Sequence, residues 1–236
     1  MRLFACQALD WPAAVERSVA VGLDTLLGME MAHEEGTRAS SDLDRPPLGE
    51  AIPARTVVLV EGVSDRLALE ALAERRGRNL AAEGISIVAM GGATNIRRYL
   101  DRYGPRGFDV KLAGLCDAGE VGDFQRGLEL AGFGSNLARA DMERLGFYAC
   151  VADLEDELIR SLGAAAVERV LEAQGDLVSF RTFQKQPAWR GRTTEEQLRR
   201  FIGTQGGRKI QSAALLVGAL DLDRVPRPLD LVLAFV

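Results

Sequence analysis

The sequence predicts an α/β protein: a parallel sheet of about four strands flanked by helices, followed by a helical C-terminal part. Three observations predict it. Aliphatic runs rich in Val, Ile and Leu recur along the middle of the chain. Each run is followed by a stretch with helical apolar spacing, the pattern of strands joined by crossover helices and covered on both faces. Each run also ends abruptly in glycine or acid rather than fading into a polar loop.

The elements follow in order. Residues 1–32 carry helical periodicity, with Trp11, Val15, Val19, Leu23, Leu26 and Leu27 on one face. Residues 33–54, HEEGTRASSDLDRPPLGEAIPA, are rich in charge, Ser, Gly and Pro and read as a linker. From residue 55 the pattern is regular. TVVLV is a continuous apolar strand, and SDRLALEALAERRG is a helix with Leu67, Leu69, Ala71 and Leu72 inward and Ser64 or Asp65 as its cap. ISIVAMGG is a second strand, followed by the helical NIRRYLDRYG. DVKLAGLCDAGE is a third strand, followed by the helix FQRGLELAG. GFYACVADLEDELIRSLG is a fourth strand running into a helix, which closes a core at 55–162. Residues 163–236 are helical: AAAVERVLEAQG, TTEEQLRRFIG capped by Thr193, RKIQSAALLVGAL and a terminal PRPLDLVLAFV that packs on the domain through Leu229, Leu231, Val232, Leu233 and Phe235.

Composition bounds the function. A chain of 236 residues with 47% hydrophobic and 27% charged residues buries a sizeable core. No apolar run approaches the roughly 20 residues of a membrane span, and no signal-peptide layout opens the chain. Cys6, Cys116 and Cys150 lack metal-type spacing and read as reduced thiols of a cytoplasmic protein. His33, the single histidine, lies in the linker, which excludes histidine-based triads and H-E-x-x-H zinc sites. The net charge of −5 hides an asymmetry: residues 1–55 carry nine acids against five arginines, and residues 160–209 ten basic residues against five acids. A basic C-terminal part suits contact with phosphate, as it also suits a solvated helical surface. Only three lysines occur, Lys111, Lys185 and Lys209, among 29 basic residues, so each retained lysine is informative.

Acids stand at the carboxyl ends of three strands, where open parallel sheets bind ligands. Glu61 and Asp65 follow the first strand, Asp117 and Glu120 the third, and Asp153, Glu155, Asp156 and Glu157 the fourth. Any one of them could serve as a helix cap. Together they would repel one another, and a hard divalent cation with oxygen ligands is the simplest way to hold them.

These residues resemble a known family. VVLVEGVSD, then MGGATNI, then LAGLCDAGE, then DLEDEL is similar in order and spacing to a TOPRIM domain, the metal-dependent phosphoryl-transfer module of topoisomerases, primases and OLD-family nucleases. VEGVSDRLALEAL is especially similar to the TOPRIM half of OLD (overcoming lysogenization defect) ATP-dependent endonucleases. The resemblance spans roughly residues 55–220 and implies a Rossmann-like TOPRIM fold and a metal-dependent DNA endonuclease or nickase, with one or two Mg²⁺ or Mn²⁺ ions. It implies Glu61 as metal ligand or general acid/base, and Asp65, Asp117, Asp153 and Glu155 as metal-binding acids. Gly91 and Gly92 would permit close backbone approach. Lys209, late in the region at the head of a helix, matches the lysine that stabilises charge on the transferring phosphoryl group.

The sequence departs from the family at the D-x-D motif, where Asp117-Ala118-Gly119 puts glycine in place of the second aspartate. Glu120, next in sequence, is a further candidate ligand whose backbone direction differs. The departure opens an alternative: a catalytically weakened TOPRIM module that binds nucleic acid or regulates. A phosphatase using Asp117 as nucleophile is a third reading.

Two further stretches bear on partners. GTQGGRKI fails as a phosphate-binding loop, because Arg208 precedes the lysine and Ile210 follows it. Nucleotide-driven gating would therefore come from a separate ATPase subunit. SFRTFQKQPAWRGR interleaves Phe180, Phe183 and Trp189 with Arg181, Lys185, Arg190 and Arg192, which suits stacking on DNA bases and equally suits a loop anchored to the core by its aromatics.

Overall fold

A computed structural model describes residues 54–203 and 206–236; the helical segment expected at 1–32 and all but the last residue of the linker at 33–54 lie outside the described residues. The first part alternates strand and helix: β1 (Thr56–Val60), α1 (Val63–Arg75), β2 (Ile85–Ala89), α2 (Ile96–Tyr103), β3 (Lys111–Cys116), α3 (Val121–Ala131), α4 (Arg139–Arg144) and β4 (Phe147–Ala149). The rest is helical: α5 (Leu154–Leu162), α6 (Ala164–Ala173), α7 (Leu177–Gln184), α8 (Thr194–Gly203), α9 (Gly206–Ala219) and α10 (Arg227–Phe235). The four strands form one parallel sheet in the order β2-β1-β3-β4. Thr56 pairs with Ile85 on one side and with Lys111 on the other, so β1 and β3 are central. Their near-complete burial explains the unbroken apolar runs that mark them in the sequence.

Alternate residues of β1 feed two cores. Val58 and Val60 pack on one face with Leu69 and Leu72 of α1, Leu158 of α5, Leu216 and Val217 of α9 and Val232 of α10. Val57 and Leu59 pack on the other with Ile96 and Leu100 of α2, Phe124 and Leu128 of α3 and Met142 of α4. Each fully buried aliphatic side chain contributes about 1.5–3 kcal/mol of transfer free energy. The C-terminal helices therefore complete one face of the sheet and are not an appendage.

Long-range capping by arginine joins the two parts. Arg75 Nη1 donates to the carbonyls of Val217 and Leu220, both at 2.7 Å, and so satisfies the C-terminal end of α9. Arg76 pairs with Asp230 of α10 at 2.6 Å, and Arg78 donates to the Leu233 carbonyl. Lys111, at the start of β3, donates to the Phe235 carbonyl and sits 4.5 Å from that ring's centroid. Gly146, which leads into β4 at φ +88°, leaves room for the same ring; a Cβ there would lie 2.3 Å from Phe235 Cε1.

The structure corrects several local expectations. The N-cap of α1 is Gly62, with Ser64 and Asp65 already inside the helix, and Asp65 caps by accepting the Gly62 N–H at 2.9 Å. The inner face of α1 is Ala68, Leu69, Leu72 and Ala73, with Leu67 and Ala71 half-buried. Helix α4 was not anticipated, and α7 replaces part of the expected aromatic loop: Phe180 and Phe183 anchor it against Phe201 of α8, at centroid distances of 5.3 and 5.6 Å. Thr193 does cap α8, in a reciprocal box with Glu196. Among the described residues no helix is long and apolar enough to cross a membrane.

Candidate metal centre

The carboxyl ends of β1, β3 and β4 lie side by side because those strands are neighbours in the sheet, and each delivers acids to the same edge. Glu61 ends β1. Its carbonyl accepts the N–H groups of Gly91 and Gly92 at 3.0 and 3.2 Å, so the loop after β2 holds the end of β1. Both glycines have positive φ, +70° and +122°, which a side chain would strain. Asp117 ends β3, and residues 118–120 form a single 3₁₀ turn that closes with the Glu120 N–H donating to the Asp117 carbonyl at 3.1 Å.

That turn sends Glu120 back toward the strand ends. One carboxylate oxygen each from Glu61, Asp117 and Glu120 lies within 4.8 Å of the other two. At Gly119 a Cβ would meet nothing within 4 Å, so this position faces open space, while Glu120 is in the cluster.

Geometry divides the acids into two sets. Glu61, Asp117 and Glu120 form no ion pair with an Arg or Lys among the described residues, and Glu120 Oε2 is buried without a hydrogen-bond partner, although the Asp117 backbone N–H lies close enough to act on the Glu120 carboxyl. The others are engaged. Asp65 is buried and accepts the Gly62 N–H. Asp153 caps α5, with Oδ1 taking the Asp156 N–H at 2.8 Å and Oδ2 taking Nε and Nη2 of Arg199 at 2.7 and 2.6 Å. Glu155, also buried, lies 3.4 Å from Lys209 Nζ. Glu157 accepts the Val151 N–H at 2.7 Å and pairs with Arg160 at 2.8 Å, while Asp156 pairs with Arg160 at 2.7 Å.

The electrostatics follow from this crowding. Burial, then the Asp65, Asp153 and Glu61 carboxylates, push the Asp117 carboxyl up to about 8, against the pull of Lys209. Burial and the neighbouring Glu61 carboxylate push Glu120 up to about 7. Burial raises Asp65 and Glu155 as well, partly offset by Lys209. Burial pulls the Lys209 ammonium down, but Glu155, Asp65 and Asp117 outweigh it and the group is held above its ordinary value. Cys116 and Cys150, beside the cluster, are buried free thiols, and burial pushes Cys116 up to about 12, so neither is a nucleophile.

Three carboxylate oxygens converging on one point, one residue carrying an orphaned buried oxygen, fit a hard divalent cation. The same charge repulsion that makes the metal-free cluster costly would favour a bound cation. Sequence reasoning found all these acids and Lys209. It missed Arg199, whose partner lies 46 residues earlier. It also left Glu120 as a lesser candidate.

The stretch that suits either stacking on DNA bases or anchoring to the core has its phenylalanines turned inward. Phe180 and Phe183 are buried, and Trp189 stacks on Phe183 at 5.2 Å. Arg181 pairs with Glu168 at 2.7 and 2.8 Å, Arg190 donates to the Lys185 carbonyl at 2.9 Å, and Arg192 lies 3.6 Å from Glu196. The aromatics of this stretch anchor α7 and the turn after it.

Comparison with known proteins agrees with this layout. Residues 54–118 match the family model for the overcoming lysogenization defect protein-like TOPRIM domain. Among solved structures, the C-terminal region of the Burkholderia pseudomallei OLD protein superposes with a TM-score of 0.60 at 24% identity, covering 77% of this chain and 96% of that one. The C-terminal region of the Xanthomonas campestris pv. campestris OLD protein gives a TM-score of 0.60 at 26% identity, covering 77% and 91%. No curated protein matches the chain. With the strand order, the acidic strand ends and the domain match in hand, residues 54–118 resemble an OLD-like TOPRIM domain, and the described fold resembles the C-terminal region of OLD proteins.

Proposed function

We propose that the protein is a metal-dependent phosphodiester hydrolase acting on DNA as an endonuclease or nickase, with Mg²⁺ or Mn²⁺ as cofactor. The observation that carries the reading is the convergence of Glu61, Asp117 and Glu120 at the sheet edge, beside a half-buried lysine. Glu61, Asp117 and Glu120 would hold the ion. A bound divalent cation supplies Lewis acidity toward a phosphoryl oxygen and lowers the pKa of a coordinated water.

The chain's own residues supply the rest. Lys209, held in place by Glu155, presents a compact positive charge with three donors to a phosphate oxygen at the cluster. Asp65 and Asp153 fix the turns that aim the strand ends, and Asp65 adds negative charge behind the cluster. The excess of basic residues in the sequence of residues 160–209, with a partner ATPase where nucleotide gating is required, would draw DNA to the protein.

The test is incubation of the purified chain with supercoiled plasmid and Mn²⁺. Metal-dependent nicking that is lost in Glu61→Gln is expected; absence of nicking by the wild type, or nicking unchanged in Glu61→Gln, refutes hydrolysis. Gly119 supports a second reading, a TOPRIM module that binds metal and nucleic acid without turnover. Mn²⁺ and DNA binding with no cleavage under any metal would favour it.

A further inference from the structure

Helix α2 carries two stripes of side chains that the metal centre does not use. Arg98 and Arg102 stand four residues apart on one face, and Tyr99 and Tyr103 form the stripe beside them. The single acid of the helix, Asp101, is taken by Arg97 at 2.6 Å. Arg98 is exposed and Arg102 half-buried, and neither forms an ion pair among the described residues. Arg106, in the loop that follows, lies 3.9 Å from Asp101 and donates to the Leu130 carbonyl at 3.1 Å. Residues 96–109 thus carry four arginines against two aspartates, in a chain whose net charge is −5.

Arg102 spends its charge on rings instead of a carboxylate. Its Cζ lies 5.5 Å from the Tyr103 centroid and 5.9 Å from that of Phe108, and its Nε is buried without a hydrogen-bond partner. The rings form a row: Tyr99 stacks on Tyr103 at 6.4 Å, and Tyr103 lies 6.1 Å from Phe108. Tyr103 belongs to the core beneath, but Phe108 is 59% exposed. The loop that bears Phe108 is tightly tied. The Gly107 and Asp109 N–H groups donate to the Gly104 carbonyl at 2.9 and 3.0 Å, and the Phe108 N–H to the Arg102 carbonyl at 2.9 Å. A Cβ at Gly107 would come within 1.9 Å of the Arg102 carbonyl oxygen, and Asp109 adopts φ +49°. Such a loop displays the phenylalanine and forgoes the transfer free energy of burying it.

The row has a direction. Asn95, just before α2, donates to the Met90 and Gly91 carbonyls, in the same loop whose Gly91 and Gly92 hold the end of β1. The helix then runs about 12 Å to the opposite edge of the sheet, where its loop leads into β3. Unpaired guanidiniums favour a polyanion over an apolar protein face. An exposed ring beside them favours a polyanion whose charges alternate with flat rings that are free to stack, which is a single strand and not a duplex.

We propose that α2 and the loop after it form a track for single-stranded DNA, in which Arg98 and Arg102 meet phosphates and Phe108 stacks on a base. The inference rests on the DNA reading above and deepens it, adding a binding surface away from the acids and a single-stranded segment to the substrate.

Fluorescence anisotropy of the full chain with labelled oligo(dT), in EDTA so that no metal supports cleavage, tests the track. An abasic strand and a duplex of the same length serve as comparisons. The wild type is expected to bind oligo(dT) more tightly than either. Phe108→Ala should weaken oligo(dT) binding by about 5- to 150-fold, leave the abasic strand unmoved and keep the salt dependence, while Phe108→Trp retains binding. Arg98→Ala and Arg102→Ala should each flatten the slope of log affinity against log salt by about 0.7. Thermal melts check folding, and exposed Arg98 carries the test if a loop variant is unstable. No oligo(dT) binding by the wild type, unchanged binding by folded Phe108→Ala, or an equal loss on the abasic strand overturns the inference. Self-association that Phe108→Ala abolishes in sedimentation, with oligo(dT) binding unchanged, assigns the patch to a second copy and also overturns it. Plasmid nicking without oligo(dT) binding sinks the track alone, whereas oligo(dT) binding without nicking sinks hydrolysis alone.

Discussion

Asp117→Asn should stabilise the metal-free protein, and by an amount that grows with pH. The side chain of Asp117 makes no cap hydrogen bond at the turn it begins, unlike Asp65 and Asp153, so asparagine loses nothing there. Its carboxyl is pushed from the ordinary 3.8 up to about 8. The folded state therefore binds a proton that the unfolded chain has released between those values, and stability falls as pH rises through that window. The displacement from 3.8 to about 8 corresponds to roughly 5–6 kcal/mol at pH 8 if nothing screens it. Asp117 is part-exposed, and water at the cluster screens most of that, leaving an expected gain of about 1–3 kcal/mol for the variant. For a chain of this size the melting temperature should rise by about 2–10 °C at pH 8, and hardly at all near pH 4. Thermal melts in EDTA at pH 4.5, 6, 7 and 8 measure it, with Mn²⁺ added in a parallel set. Mn²⁺ should raise the wild-type melting temperature and leave Asp117→Asn unmoved. A variant that melts lower than wild type at every pH, or a gain that does not grow with pH, would refute the account of Asp117 as a repelled ligand.

Other outcomes follow from the same structure. Mn²⁺ affinity should increase from pH 6 to pH 8, because Asp117 and Glu120, raised to about 8 and about 7, must give up protons to bind; calorimetry in buffers of different ionisation enthalpy reads the released protons. Arg75→Ala removes the donors to the Val217 and Leu220 carbonyls and should cost about 1–3 kcal/mol in chemical denaturation, since both acceptors sit at a part-buried helix end. Gly146→Ala should cost about 1–3 kcal/mol, read in the same assay, from the clash with Phe235 and the positive φ. Phe180→Ala should cost about 3–5 kcal/mol, as expected of a core anchor, whereas a base-stacking residue would lower DNA affinity and leave stability alone.

Much of the fold is legible in the residues because burial on both faces leaves no choice of side chain. TVVLV and KLAGLC read as central strands since each residue must be apolar whichever face it points to. The helix α7 was less legible: its aromatics alternate with cations, and whether such a stretch faces a core or a ligand depends on what lies opposite, here Phe201 and Trp189. Helix α4 is six residues long, too short for its periodicity to stand out.

The sequence by itself determined that acids gather at the carboxyl edge of a parallel sheet, because strand order and strand-end position follow from local pattern and the handedness of crossovers. Only the tertiary structure decided which acids converge on one point and which are caps. An aspartate at a strand-to-helix turn looks the same in either role until its partner is known, and the partner may come from 46 residues away, as Arg199 does for Asp153, or from a backbone N–H three residues away, as for Asp65. LVEGVSDR shows both cases within five residues. Glu61 is left without an N–H donor among the described residues and joins Asp117 and Glu120, while Asp65 is consumed by the turn. Glu120 was decided by a single 3₁₀ turn, whose sense depends on how β3 meets α3 rather than on any one residue.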